Sequence, residues 1–260
     1  MLTTSRPASN RGLNPHAQRR LAKHSFGWEA SLVDVLCQKS VPFCLKEGPF
    51  EIRKEWTVCN RIADVAVSTF NARPQIDLRL RALSRLTMTE LTVLAGTVQE
   101  ATNEERLASR LYLRRDLVAA ALARLGRLEL IAPVPGLAPG TLQATDWTSA
   151  LPTSLHLIEA KLEDWEKAIS QAANYRRFAD AASVALPLSF LGRSEVYAAC
   201  EAQGVGLILL QADGEGLQVV SPAKPDPKWA AIKCQSYVEI LRDFVLKTGH
   251  AACLYAGTEH

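Results

Sequence analysis

A few residues stand at spacings that could do chemistry on a phosphate. The run from Ser154 to Leu162 reads as a strand in which Leu155, Leu157, Glu159 and Lys161 share one face. A glutamate and a lysine two residues apart on an otherwise apolar face are costly to bury unless paired or bound to an ion. An earlier run, Ile62 to Val67, is rich in β-branched residues and reads as a second strand. There Ile62, Asp64 and Ala66 share a face, and Asp64 is a lone carboxylate among Ala, Ile and Val. Brought to one point, Asp64 and Glu159 would supply the two carboxylates that commonly hold a catalytic Mg²⁺ beside a phosphate, with Mn²⁺ able to stand in. Lys161 could orient a water or stabilise the negative charge that develops at phosphorus. The ordinary alternatives are a solvated edge-strand pair for Glu159 and Lys161, and a strand end or turn cap for Asp64. His156 points away from Glu159 and reads as structural.

The elements that must position these groups are legible in outline. Trp28, Leu32, Val35 and Leu36 recur at helical spacing from Gly27 to Gln38, with Glu29 near the first turn. Phe50 to Val58 alternates like a strand. After the second strand the pattern becomes almost wholly helical. Leu86 to Val98, Glu104 to Arg110 and Arg114 to Leu125 read as three helices, the last closed by Gly126, and Leu128 to Ile131 reads as a short strand. That order is the order of a winged helix-turn-helix. A stretch rich in Pro, Gly and Thr follows, then the Glu159 strand and an amphipathic helix predicted over Asp164 to Ala181. Val184 to Leu188 and Val205 to Leu210 are short apolar runs that suit buried strands, Leu217 to Val220 suits an edge strand, and a last helix is predicted from Trp229 to Lys247.

The segments Arg61-Ile-Ala-Asp64-Val-Ala-Val67, His156-Leu-Ile-Glu159-Ala-Lys161 and Gln171-Ala-Ala-Asn-Tyr175 resemble the PD-(D/E)XK nuclease superfamily, the restriction endonuclease-like fold. The resemblance implies a core of helix, three strands, helix and strand. It implies that Asp64 is the family's first acid, that Glu159 and Lys161 are its E-x-K, and that Gln171 and Tyr175 are a Q-x-x-x-Y element on the next helix. Glu29 would match an acid that some branches add on the first helix. Gln171 and Tyr175 could equally be ordinary packing, one turn apart on a helix flank. Ala63 stands where the family name has proline, and residues 75 to 150 intervene where the family has a short hairpin.

The expected fold class is therefore α/β: a restriction endonuclease-like mixed sheet flanked by helices, with an all-helical winged-helix-like insertion. The expected division is a basic flexible arm at 1–25, a nuclease-like core at 26–74 and 151–260, the insertion at 75–132 and a linker at 133–150. Residues 71 to 127 hold ten arginines, no lysine and six acids, although the whole chain carries a net charge of only +3. Arg favours bidentate phosphate and guanine contacts. Arg110, Arg114, Arg115 and Arg124, around the helix that would enter a groove, are the candidate nucleic-acid contacts. The small apolar run Val118 to Ala121 allows another reading, in which the insertion packs on the core or on a second copy.

The expectation for function is a Mg²⁺-dependent endonuclease or exonuclease acting on DNA, with Asp64, Glu159 and Lys161 catalytic and Glu29, Gln171 and Tyr175 in support. The alternative is a non-catalytic DNA-binding regulator, or a structural subunit, that reuses the scaffold. Expected partners are DNA, a second copy of the chain, and a larger restriction or repair complex. Six scattered cysteines without zinc-finger spacing, and no apolar run long enough to span a bilayer, place the expectation in the cytoplasm, away from membranes.

Overall fold

The computed structural model describes residues 29–39, 49–58, 61–211, 218–221 and 230–255. The arm expected at 1–25 lies outside them. Among the described residues the first helix, α1 (Glu29–Lys39), precedes the hairpin β1 (Phe50–Val58) and β2 (Arg61–Thr69). Next come α2 (Leu78–Leu83), α3 (Met88–Gln99), α4 (Glu104–Leu111), α5 (Arg115–Arg127), β3 (Ile131–Pro133) and β4 (Leu142–Ala144). The chain then forms β5 (Ser154–Ala160), α6 (Trp165–Tyr175), β6 (Ala181–Pro187), α7 (Ser194–Gln203), β7 (Gly206–Leu210), β8 (Gln218–Ser221) and α8 (Ala230–Tyr255).

Among the described residues, one six-stranded mixed sheet runs in the order β1-β2-β5-β6-β7-β8. β1, β2 and β5 are antiparallel neighbours, β5, β6 and β7 are parallel, and β8 returns antiparallel. With α2 to β4 set aside, the chain reads helix, three strands, helix, strand. Each face of the sheet is covered. Leu32 and Leu36 of α1 pack on Val65, Val67, Ile158, Ala160, Ala185, Ile208 and Leu210. The opposite face packs on α6, α7 and Ile240 of α8. β6 from Ala182 to Pro187 and all of β7 are buried, as strands covered on both faces require.

A long insertion between two paired strands must leave and re-enter the sheet at one place, and hydrogen bonds at Thr69 achieve this. Thr69 is the last residue of β2 and pairs with Ser154, the first of β5. Its carbonyl accepts the Thr153 N–H at 2.7 Å, and its hydroxyl meets those of Thr153 and Ser154. The two ends of the insertion are thus held side by side, and the register of β2 on β5 ignores what lies between.

The inserted segment has its own core. Leu83, Leu91, Leu94, Leu107, Val118, Leu125 and Leu130 are fully buried together with Val238 and Leu241 of α8, so the last helix belongs to both cores. Local signals fix the helix starts. Thr87 and Glu90 form a capping box at α3, and Asn103 caps α4. Three expectations change here. Gly126 does not close α5: the helix runs through it to Arg127, with Leu128 as its cap and Glu129 taking the left-handed turn at φ 58. Residues 133–150 are not a bare linker, since β3 and β4 pair antiparallel and Trp147 is buried, its indole N–H donating to the Leu130 carbonyl at 2.7 Å. The helix predicted to Ala181 stops at Tyr175, and Ala181 opens β6. Helix α7 was not legible because its apolar residues do not gather on one stripe; Gly204, left-handed at φ 63, ends it.

His156 lies on the face of β5 away from Glu159, and its Nε2 stands 2.8 Å from the Ser183 hydroxyl. Burial pushes its pKa down to about 4 from the ordinary 6.5, with Asp180 pulling weakly the other way. The folded state therefore keeps a neutral ring where the unfolded chain takes up a proton. His156 contributes full stability above about pH 6.5, and the contribution falls as the pH drops towards 4, by about 3 kcal/mol in all. Urea midpoints measured at pH 7.5 and 4.5 should therefore diverge more in the wild type than in His156→Gln. Equal divergence would show that the imidazole does not control acid stability.

Candidate active site

Antiparallel pairing of β2 and β5 runs as far as Val65 across from Ile158, and just beyond it the Ala160 N–H donates to Asp64 Oδ2, which brings Asp64 to the end of β5 beside Glu159. The start of β2 and the end of β5 therefore meet at one end of the sheet, at the carboxyl end of a parallel strand, where open α/β sheets tend to place their sites. Lys161 follows the last residue of β5, and its N–H donates to the Ala185 carbonyl at 3.1 Å. That bond holds the backbone in line with the strand, so Lys161 turns to the same side as Glu159.

The side chains converge as the sequence pattern requires. Lys161 Nζ lies 3.2 Å from Glu159 Oε1 and 3.9 Å from Asp64 Oδ2. It also lies 3.0 Å from Glu29 Oε1, so Glu29, from the helix on the other face, reaches over the sheet end to the same ammonium. Asp64 Oδ2 accepts the Ala160 N–H at 2.7 Å. The Tyr175 hydroxyl stands 2.7 Å from Glu159 Oε2 and 2.6 Å from the Ile62 carbonyl oxygen, and shares its one proton between them. Glu159 is 2 % exposed, which decides its character: it is a buried acid, not a rim charge.

The electrostatics follow from that burial. Desolvation pushes the Asp64 carboxyl above its usual range, against the Ala160 N–H and the Lys161 charge. It pushes Glu159 up as well, against its bonds to Tyr175 and Lys161 and with the Asp64 charge adding to the rise. Burial works against the Lys161 ammonium, yet the bond to Glu29 and the charges of Glu159 and Asp64 outweigh it and hold its pKa above the ordinary value. Burial, then the Glu159 bond, pushes the Tyr175 phenol up, so it stays a proton donor. Two acids held close in a partly dry site gain from any added positive charge.

Gln171 is one turn before Tyr175 on α6, but it bonds to none of the site residues. Its Oε1 is buried with no hydrogen-bond partner among the described residues. Two site neighbours were missed from sequence. Glu55 stands in β1 between two residues that pair with Val65 and Ala63, and its charge acts on Asp64. Its φ of 49 is left-handed for a non-glycine strand residue. Arg61, exposed at the start of β2, acts electrostatically on Tyr175. Only the twist and pairing of β1 and β2 make either one a neighbour.

The donors suit a hard cation. The pair offers carboxylate oxygens only, and Asp64 keeps Oδ1 without a partner among the described residues. No group of three or more His, Cys, Asp or Glu among the described residues is disposed to hold a metal ion. Two carboxylates with water completing the shell is the usual Mg²⁺ arrangement. Tyr175→Phe removes the bond that orients Glu159. If the pair holds Mg²⁺, a loss of roughly tenfold to a hundredfold in metal affinity is expected, with about 1 kcal/mol of stability lost. The readout is the metal concentration at half-maximal thermal stabilisation; a change in metal-free stability alone would make Tyr175 structural.

The candidate DNA contacts fare differently. Arg110 pairs with Glu100 and donates to the Gly96 carbonyl. Arg114 pairs with Asp116 at 2.6 Å, Arg115 with Glu104, and Arg124 with Glu90 at 2.9 Å. All four face acids of their own chain. Cys37, Cys200 and Cys234 are free thiols, and no helix among the described residues is long and apolar enough to cross a membrane. Compared with family models, with curated proteins and with solved structures, the chain matches none.

Proposed function

We propose that this chain is a metal-dependent nuclease of the PD-(D/E)XK type that hydrolyses phosphodiester bonds in DNA, positioned by its inserted helical segment as a winged-helix-like module. The observation that carries the reading is the convergence of Asp64, Glu159 and Lys161 from β2 and β5 at one sheet end. The order helix, three strands, helix, strand supports it. So does the three-helix segment followed by the β3–β4 hairpin.

In this reading Asp64 and Glu159 would hold a Mg²⁺ ion, which supplies Lewis-acid stabilisation of the phosphate and acidifies water. Lys161 places positive charge where the pentavalent oxygens develop theirs. Tyr175 fixes the Glu159 carboxylate, and Glu29 fixes the Lys161 ammonium. A single site cuts one strand, so cleavage of both strands implies a second copy of the chain or a partner in a restriction or repair assembly.

The test is incubation of supercoiled, linear and single-stranded DNA with the protein and Mg²⁺ or Mn²⁺. Cleavage that is lost in Asp64→Ala supports the reading; a folded protein that cuts none of these, nor RNA, rejects it. One observation favours a second reading, a DNA-binding regulator with no catalysis. The Lys161 ammonium already pairs with the acids, as in a structural ion cluster at a sheet end. Tight binding to duplex DNA without cleavage would favour that reading.

A further inference from the structure

The fold divides the ten arginines between residues 71 and 127 into two sets. Arg79, Arg110, Arg114, Arg115 and Arg124 each face an acid. The other five are exposed, and their side chains have no hydrogen bond or ion pair among the described residues. Three of these five, Arg81, Arg85 and Arg127, stand on two chain segments that meet. Arg81 is in the last turn of α2, and Arg85 follows one turn later. Arg124 donates at 3.1 Å to the Arg85 carbonyl, which ties that chain segment to the last turns of α5. Arg127 is in the last turn of α5, three residues beyond Arg124.

The acid bonded to Arg124, beside Arg85, is already used. Glu90 accepts from Arg124 at 2.9 and 3.1 Å and from the Thr87 N–H at 2.7 Å, and its side chain is 10 % exposed. What remains is three exposed guanidiniums, without a bonding partner among the described residues, on the segments beside one satisfied pair. Helix C-termini favour a cation, but three neighbouring ones repel each other. Arginine is the residue best shaped to grip phosphate oxygens in pairs.

We propose that the face formed by Arg81, Arg85 and Arg127 is a contact surface for the sugar-phosphate backbone of a nucleic acid. This puts the backbone-binding face at the C-terminal end of α5, opposite the end where the Arg114 and Arg115 guanidiniums are held by acids. Adsorption to an anionic membrane works through clusters of roughly four to eight basic residues, whereas three guanidiniums on fixed helix ends suit spaced phosphates. The proposal goes beyond the nuclease reading and does not need cleavage to occur.

The experiment is fluorescence anisotropy with a labelled duplex of about 25 base pairs, in EDTA so that no cutting takes place, over roughly 50–200 mM KCl. R81A/R85A/R127A should weaken binding about tenfold or more and lower the salt slope by about two to three, close to one for each phosphate left without its arginine. R114A/R115A should leave the slope nearly unchanged. R81A and R127A, each expected to lower the slope by about one, carry the test if the triple variant melts early. The proposal is overturned if the triple variant binds like the wild type, if the loss falls on R114A/R115A, or if the wild type ignores duplex and single strand alike while pelleting with phosphatidylserine vesicles. A wild type that binds through these arginines but never cuts defeats the nuclease reading alone. A wild type that cuts, with a triple variant that binds normally, defeats this proposal alone.

Discussion

Lys161→Met is expected to lower Mg²⁺-dependent cleavage by about 10²–10³-fold, the size of a lost preorganised positive charge at the reacting group. Methionine keeps the length of the stem and removes only the ammonium. DNA binding should stay within about twofold, since Lys161 sits among acids rather than on an open basic face. The same change leaves Glu29, Asp64 and Glu159 without their shared cation. Asp64 and Glu159 already lean towards protonation because they are buried. Any proton they take up limits the loss of stability, to about 1–3 kcal/mol. The loss should deepen as the pH rises from neutral to about 9, because protonation becomes costlier. Thermal melts across that range check the stability, and single-turnover cleavage checks the rate. A variant that cuts like the wild type would remove Lys161 from the chemistry.

Asp64→Asn and Glu159→Gln are expected to remove cleavage by about 10³-fold or more. A lost metal site forfeits several kcal/mol of charge stabilisation, and each 1.4 kcal/mol is tenfold. A second readout needs no substrate. A cation that binds only the folded chain raises its melting temperature by mass action, about 2.7 kcal/mol at a hundredfold excess over its dissociation constant. Mn²⁺ should therefore stabilise the wild type and leave both variants unmoved. The amides hold less charge than the acids they replace, so the metal-free variants should melt at or above the wild-type temperature. A Mn²⁺-dependent rise that survives in both variants would place the ion elsewhere.

Much of the site was legible because strands have a period of two. Asp64 with Ala66, and Glu159 with Leu157 and Lys161, could be assigned to faces from alternation alone. That the two faces coincide depended on pairing across the insertion, and the Thr69 bonds to Thr153 and Ser154 that secure it involve residues with no distinctive pattern. Glu29 was visible only through resemblance, since nothing in a helix sequence says that its first turn overhangs a sheet. Glu55 was hidden because a left-handed glutamate inside a strand is not written in residue type. The partners of the arginines were hidden for a different reason. Position in a helix order suggested Arg110, Arg114, Arg115 and Arg124, but acids ten or more residues away in the chain reach three of them, and Asp116 reaches Arg114. Charge counted along a sequence does not reveal which charges are already spent.

That Asp64 and Glu159 share a divalent cation is tested most directly by anomalous diffraction from crystals grown with Mn²⁺. The expected result is a peak between the two carboxylates, at roughly 2–2.5 Å from an oxygen of each, absent in Asp64→Asn. Carboxylates still held by the Lys161 ammonium at saturating Mn²⁺, with no peak between them, would contradict the account.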